Sequence, residues 1–174
     1  MTVADAIRTK RAVRHFAPQP LPDKIVHHVL NAGRRAQSSK NTQPWHFIAI
    51  RERPLLETLS RLGPFAGHLA GAALGVAILT PDPARRWSIT FDAGQAAAYM
   101  QLAACELGVA SCLASIYEVD AARKLLGFPD DLHLHIALSF GFPADAAVLT
   151  APPRAGGRRP LEEMVHFERW RGAS

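Results

Sequence analysis

The sequence predicts a single domain of the layered α/β class, in which helices cover both faces of a central β-sheet. Segments with helical spacing of apolar residues alternate along the 174-residue chain with short apolar runs that are typical of buried strands. Hydrophobic residues make up 48% of the chain and charged residues 20%, a balance that supports a full core and argues against disorder. No linker or low-complexity tract divides the chain, so we expect one domain over residues 1–174.

The N-terminal part of the chain predicts three helices and one strand. Residues 2–9 are expected to form a short helix that ends at a basic cluster. Pro22 suits the first position of a helix that runs to about Ala36. The run WHFIAI, residues 45–50, is expected to form a strand, and leucines at helical spacing predict a helix over residues 54–62.

The remaining part of the chain predicts two helices and three strands. The longest helix runs from about Phe91 to Leu107, is rich in alanine and has Gly108 as its C-terminal cap. Continuous or alternating apolar residues before and after it are typical of buried strands. The predicted strands are residues 72–80, 109–115 and 132–141, and a further short helix is expected over residues 120–126.

One apolar segment imitates a membrane span. Residues 62–81 carry no formal charge and have a glycine at every fourth position from Gly63 to Gly75, a spacing also found at transmembrane helix interfaces. Pro64 and His68 interrupt the segment, and small residues outnumber leucine. We therefore expect a short buried helix that leads into a core strand, and no membrane span.

Charge and cysteine content bear on partners and compartment. The net charge is +5, and residues 1–61 hold eleven Lys/Arg against four Asp/Glu. A basic half predicts an anionic partner, which could be nucleic acid, a phosphate-bearing cofactor or an acidic substrate. The absence of basic-aromatic alternation disfavours nucleic acid. Cys105 and Cys112 do not suggest a disulfide framework, and no signal-length apolar stretch is present at the N-terminus, so we expect a cytoplasmic protein.

Standard catalytic signatures are missing, and three polar or basic clusters remain. His133 and His135 share one strand face, but no further ligand stands at a convincing spacing, so we expect no metal site. The three clusters are residues 10–14 (KRAVR), residues 37–43 (QSSKNTQ), and Arg158 with Arg159. Cationic side chains suit a phosphate, and Ser, Asn and Gln suit the amides and carbonyls of a flat heterocycle. The clusters could therefore serve one ligand.

In this order the clusters, and the elements between them, resemble the FMN-dependent nitroreductase-like oxidoreductase family. KRAVRHFAPQPLP resembles the family's Arg-rich element and its Pro-rich connection, and QSSKNTQPWHF resembles its Ser-x-x-Asn-x-Gln-Pro-Trp signature. DAGQAAAYMQLAACELGVAS, LGFPDDLHLHIALSFGFP and RRPLEEMVHFERW resemble its central helix, its Leu-Gly-Pro to Gly-x-Pro segment and its closing arm. The resemblance implies a nitroreductase-like α+β three-layer sandwich with a central mixed sheet flanked by helices. It also implies an intertwined homodimer with a C-terminal dimerisation arm at about residues 158–174.

The resemblance implies a phosphate site and a ring site for FMN in each half of the dimer. Lys10 and Arg11 would face the phosphate, and Arg158 would return to it. Arg14 would reach the pyrimidine side of the ring and act as an electrostatic stabiliser. Ala12 stands where the family often has a phosphate-binding Ser, so we expect FMN to be held weakly.

Two further groups of residues are implied in cofactor binding. One group would hydrogen-bond FMN from the partner subunit, with a Gln in place of the usual proline. The other group would lie along the isoalloxazine ring. The first group is Gln37, Ser38, Ser39 and Asn41, and the second is Leu113, Ala114 and Ser115.

The implied activity is FMN-dependent NAD(P)H oxidoreduction by a ping-pong hydride transfer to a nitroaromatic, quinone or similar acceptor. The flavin carries the chemistry, so we assign no catalytic side chain. Two alternatives stay open: another flavin reaction on the same fold (dehydrogenation or flavin fragmentation), or a basic nucleic-acid-binding module without enzyme activity. The chain is short for the family, and we expect the missing length in a lid between residues 62–73 and the central helix.

Overall fold

The computed structural model describes residues 1–151 and 157–170 of the chain. The five predicted helices and four predicted strands are found in the expected order, with bounds that differ by three residues at most, and the C-terminal arm contains one further short helix, α6, that was not predicted. The helices are α1 (Val3–Thr9), α2 (Asp23–Arg34), α3 (Arg53–Leu59), α4 (Ser88–Glu106), α5 (Val119–Leu126) and α6 (Leu161–Met164). The strands are β1 (His46–Ile50), β2 (Leu74–Pro81), β3 (Ala110–Ser115) and β4 (Leu132–Gly141).

The four strands form one sheet in the order β1-β2-β4-β3, so β1 and β3 are its edge strands. All three strand pairs are antiparallel. Ala12 and Ser111 form a parallel bridge on the side of β3 that faces away from β4. It is the single parallel pairing in the part of the chain that the structure describes. The predicted mixed sheet is therefore antiparallel apart from that bridge. Strand β2 is central, and its residues 74–80 are all buried, as its continuous apolar sequence predicts.

Helices cover the sheet on both faces, which gives three layers. Side chains of β2 and β4 that alternate along each strand point to opposite faces and belong to two separate cores. Val76 and Leu138 pack with α2 and α4, whereas Ala77 and Ala137 pack with leucines of α3. The predicted three-layer α+β sandwich is confirmed.

Helix α4 is the packing centre of the first layer and connects distant parts of the molecule. Near its N-terminus, Asp92 bonds to the polar segment that precedes β1. Near its C-terminus, Gln101 donates a hydrogen bond to Ser111 of β3, and Cys105 contacts Thr9 of α1. Gly108 follows the helix with φ +70°, the left-handed conformation expected after a helix end.

The apolar segment over residues 62–81 contains a short 3₁₀ helix, Gly67–Gly71, followed by β2. A short buried helix before a core strand is the predicted arrangement. Within residues 1–151 and 157–170, no helix is both long and apolar enough to cross a membrane. The connection from β2 to α4 is short, and it holds one further 3₁₀ helix, Pro83–Arg85.

The C-terminal arm exposes most of its large apolar side chains. Phe167 is 74% exposed and Trp170 is 79% exposed, and Leu161, Met164 and Val165 are exposed as well. Within the arm, the rings of His166 and Trp170 lie 4.2 Å apart. The last four positions of the predicted arm, residues 171–174, lie outside the described residues.

Candidate functional site

The basic segment at residues 10–14 runs along the outer side of edge strand β3. The amide of Val13 donates to the Ser111 carbonyl at 3.0 Å, and the neighbouring Ala12 forms the parallel bridge to the same residue. Because the two segments are parallel there, Arg14 comes level with Leu113, two residues further along each. The predicted phosphate-binding residues and the predicted ring-lining strand are thus adjacent in one subunit.

Lys10 and Arg158, far apart in the sequence, share one electrostatic environment. Lys10 is half-buried where α1 ends, and this burial lowers the pKa of its ammonium below the ordinary 10.5. The positive charge of Arg158 lowers the pKa further, whereas Cys112 and Cys105 act in the opposite direction. Within residues 1–151 and 157–170, no carboxylate is among the groups that shift the pKa of Lys10. A pair of cations without an acidic partner fits an anionic ligand.

Arg11 is engaged within its own segment. Its Nη1 donates to the carbonyl oxygen of Arg8 at 2.8 Å and to that of Lys10 at 3.3 Å. The guanidinium therefore holds the C-terminal turn of α1, and other N–H groups of its fork stay available for a ligand. The sequence could not show this arrangement, since it predicted only that Arg11 faces a phosphate.

A buried histidine lies behind this cluster. His68 is 8% exposed, and its Nδ1 lies 2.7 Å from the Ser139 hydroxyl. That hydroxyl donates to the Cys112 carbonyl, so it accepts from Nδ1–H of the neutral imidazole. Burial lowers the pKa of His68, and the positive charge of Arg14 lowers it further, while the backbone of Leu113 favours the charged form.

The Nε2 atom of His68 is buried and has no hydrogen-bond partner within the described residues. Sequence reasoning missed this residue, because it treated His68 only as an interruption of an apolar segment. A polar residue amid a buried apolar run was the available signal.

The polar segment at residues 37–43 forms a strained and well-anchored turn. It contains the 3₁₀ helix Ser39–Asn41, and its left-handed φ angles are +54° at Lys40, +55° at Asn41 and +46° at Gln43. None of these residues is glycine, so each left-handed angle costs on the order of 1 kcal/mol or more. Strain of this kind persists only where surrounding contacts enforce it, and it is concentrated at ligand sites.

Hydrogen bonds within residues 37–43 help to hold these left-handed residues in place. The Gln43 amide donates to Ser38 Oγ at 2.9 Å, and Gln43 Nε2 donates to Asn41 Oδ1 at 3.1 Å. Arg86, in the connection before α4, donates to Thr42 Oγ1 at 2.9 Å. The segment ends at Pro44 and Trp45, which are both buried. Of the predicted ligand residues here, Gln37 and Asn41 are exposed, and Ser38 and Ser39 are half-buried.

The three residues predicted to lie along a flavin ring occupy the end of β3. Leu113 is exposed and Ser115 is half-buried, so both side chains are accessible. Ala114, by contrast, is fully buried in the core beneath the sheet, beside Ala137. Ala114 can therefore meet a ligand only through its backbone. Alternation along a strand is the reason, since neighbouring side chains point to opposite faces.

The basic cluster and the polar segment lie far apart within one subunit. Asp92 contacts the polar segment and Cys105 contacts α1 next to Lys10, and these two residues of α4 are thirteen positions apart. At about 1.5 Å per residue they are roughly 20 Å apart. The sheet topology supports this separation, because the polar segment precedes edge strand β1 and the basic segment borders the opposite edge strand, β3. The chain thus presents two separate clusters of predicted ligand-binding residues, which we call half-sites.

The donor set of these half-sites fits FMN. The cation pair of Lys10 and Arg158 suits a phosphate, and the amides and hydroxyls of the polar segment suit a heterocycle with carbonyl and imide groups. In the described part of the chain, no group of three or more His, Cys, Asp or Glu side chains is placed so that it could hold a metal ion. The predicted pair His133 and His135 stacks with ring centroids 6.0 Å apart.

Comparison with known proteins gives consistent results. The family model for the nitroreductase family matches residues 7–67 and 64–142. An Archaeoglobus fulgidus protein that carries the name NADH dehydrogenase/NAD(P)H nitroreductase is 30% identical over 173 residues, which span 94% of this chain and 96% of that protein. The match at nearly full length shows that the short chain is shared with this relative.

Two solved structures show the same fold. A Bacteroides thetaiotaomicron protein with the same name superposes with a TM-score of 0.84 at 23% identity, covering 97% of this chain and 98% of that one. An FMN-dependent nitroreductase from Clostridium difficile superposes with a TM-score of 0.81 at 23% identity, covering 96% of this chain and 99% of that one. Since the family model and the full-length relative agree with the fold, the chain belongs to the nitroreductase family, whose members include oxidoreductases.

Proposed function

We propose that the protein is an FMN-dependent NAD(P)H oxidoreductase that reduces nitroaromatic, quinone or similar acceptors in a ping-pong order. The observation that carries the proposal is the pair of half-sites: a cation pair that has no acidic partner among the described residues, and a strained polar turn about 20 Å away. The names of the relatives support the nicotinamide donor, and the name of one structural neighbour supports FMN.

In this proposal the basic cluster binds the phosphate of the cofactor. Lys10 and Arg158 supply the two charges, and Arg11 adds donors from the same turn. Arg14, level with Leu113 on the edge of β3, places a positive charge beside the pyrimidine side of the ring. Bound FMN would supply the two-electron redox chemistry that no side chain here provides. The protein's part is to position the ring and to set the field around it.

In this proposal, residues of the second subunit complete the binding site of the flavin ring. Ser38, Ser39 and Asn41 would not bind the cofactor held by their own subunit's cation pair, since about 20 Å along α4 separates the two half-sites. They can bind a cofactor in a homodimer in which the polar turn of one chain faces β3 of the other. The exposed apolar side chains of the arm, with Phe167 and Trp170 foremost, form a patch that a second copy would cover.

The same arrangement supports the proposed ping-pong order of NAD(P)H and acceptor. One site on the exposed edge serves both NAD(P)H and the acceptor, so the first must leave before the second binds. Gln37 and Ser115 would border that site, and the backbone at Ala114 would line it. Free Cys105 and Cys112 are compatible with the reducing conditions of a cytoplasm.

Titration of the purified protein with FMN tests the proposal. We expect saturable quenching of flavin fluorescence with one FMN per subunit, a dimer mass by light scattering, and bleaching of the bound flavin by NADH or NADPH without oxygen. No binding at tens of micromolar protein (roughly the weak end of cofactor affinity) would refute the cofactor assignment. Binding without reduction by either nicotinamide would refute the enzyme assignment.

A further inference from the structure

The turn at residues 37–43 is held from outside by one buried carboxylate. Asp92 is 1% exposed, and both of its oxygens accept from the backbone amide of Ser39, at 3.1 and 3.2 Å. Asp92 and Ser39 are 53 positions apart in the sequence, so the contact joins two distant segments of the chain.

The contact differs from the other anchors of the turn in its surroundings. The bond from Arg86 to Thr42 and the bonds within the turn are exposed, so water competes with each of them. The bond from Ser39 to Asp92 is shielded, and it is charge-assisted when the carboxylate is ionised. A shielded, charge-assisted hydrogen bond is the strongest of the anchors.

The position of the contact matters as much as its strength. Ser39 opens the 3₁₀ helix, and the left-handed residues Lys40 and Asn41 follow it directly. Fixing the Ser39 amide therefore fixes the start of the strained conformation. Ser38, Ser39 and Asn41, the residues proposed to bind the cofactor, all lie within two positions of that anchor.

We propose that Asp92 is a positioning residue for the cofactor: it holds the Ser39 amide and thereby keeps the polar turn in its ligand-binding conformation. The inference rests on the proposed function, since it takes FMN as the ligand of the turn. Asp92 itself does not touch the ligand. Its effect passes through the backbone of Ser39, and the energy of the buried contact offsets the strain of the left-handed residues.

Variants of Asp92 test the inference by FMN affinity. Asp92→Ala removes the anchor, and we expect the Kd for FMN to rise about ten- to a hundredfold, the effect of losing one charge-assisted hydrogen bond. Asp92→Asn keeps one accepting oxygen but no charge, so it should recover part of the loss and bind FMN with a Kd between those of the wild type and Asp92→Ala. Glu106→Ala, an exposed acidic position on the same helix, is the matched control and should leave the Kd unchanged.

Variants of Ser39 test the same contact from the donor side. Ser39→Pro removes the amide hydrogen, and proline suits the first position of a helix after an extended residue such as Ser38, whose φ is −144° and ψ is 156°. Ser39→Ala removes only the hydroxyl. We expect the proline variant to bind FMN at least tenfold more weakly than the alanine variant (roughly one charge-assisted hydrogen bond). The double variant Asp92→Ala/Ser39→Pro should bind no more weakly than the worse single variant, because both changes remove one contact.

A split between binding and turnover separates positioning from general stability. With saturating FMN, kcat of Asp92→Ala should stay within about threefold of the wild-type value, since the filled site is restored. Unchanged FMN affinity in Asp92→Ala, or additive effects in the double variant, would overturn the inference. A wild-type protein that binds no FMN would refute the proposed function and this inference with it, so the two failures are distinguishable.

Discussion

Replacing Lys10 by methionine tests the phosphate half-site directly. Lys10 is half-buried, and burial and the charge of Arg158 together lower the pKa of its ammonium. In the protein without ligand, nearby groups therefore do not balance the positive charge of Lys10. A phosphate that accepts a charge-assisted hydrogen bond from it gains about 1.5–3 kcal/mol, which corresponds to roughly ten- to a hundredfold in affinity. We expect Lys10→Met to weaken FMN binding by that factor. Methionine keeps an unbranched apolar chain, so packing around the half-buried stem is retained.

Riboflavin, which lacks the phosphate, is the matched ligand for the assay. Fluorescence titration with both flavins should show a loss for FMN and a change of less than about threefold for riboflavin. Lys24→Met, at an exposed position in the first turn of α2, is the control variant and should change neither affinity. Equal losses for FMN and riboflavin in Lys10→Met would refute the reasoning, because Lys10 would then act on the fold or the ring.

The pH dependence of FMN binding gives a second readout. The phosphate binds the protonated amine, so affinity is complete below the pKa of Lys10 in the free protein and falls above it. Because that pKa is lower than the ordinary 10.5, the fall should begin at a less alkaline pH than for an exposed lysine, with a slope of at most about tenfold per pH unit. Lys10→Arg should remove the fall, since a guanidinium stays protonated throughout. An identical alkaline loss in Lys10→Arg would contradict the assignment.

Three further predictions concern stability and assembly. The lowered pKa of His68 means that below pH 6.5 the unfolded chain binds a proton that the folded chain does not. Wild-type protein should therefore lose unfolding free energy as the pH falls from there, by up to about 1.4 kcal/mol per pH unit relative to His68→Gln, measured by urea denaturation. A Cβ at Gly33 would come 2.1 Å from Met100 Cε, so Gly33→Ala should cost up to about 2 kcal/mol, whereas Gly94→Ala, with open space, should stabilise α4 by about 0.5–1 kcal/mol. Equal effects of the two glycine variants on the melting temperature would contradict this. Deleting residues 160–174 should yield monomers or aggregates without bound FMN, and a stable truncated monomer that holds FMN and oxidises NAD(P)H would refute the shared site.

Local patterns in the sequence were sufficient for the elements and for the family. Continuous apolar residues predicted β2, and the small residues of α4 predicted a central helix. An element that is buried on both sides consists mainly of apolar or small residues, and this composition is visible in the sequence. The boundary of α4 was less exact: the helix begins at Ser88, three residues before the expected Phe91. Buried Ser88 and Ile89 in the first turn of this helix lie between exposed Trp87, which precedes the helix, and exposed Phe91, and periodicity alone does not separate such a turn from a loop.

Contacts between distant segments were decided by the tertiary structure alone. The sequence by itself determined that cationic and amide side chains are available, and that their order matches a flavin-binding family. The resemblance brought Lys10 and Arg158 to one phosphate, but the sequence carried no sign that Asp92 holds Ser39 or that the charge of Arg14 acts on His68. Each of these pairs is more than fifty residues apart, and the energy of such a contact depends on burial and distance, which local periodicity does not encode. The separation of the half-sites by about 20 Å follows from the length of α4, and it is the reason why we propose that two chains share one site.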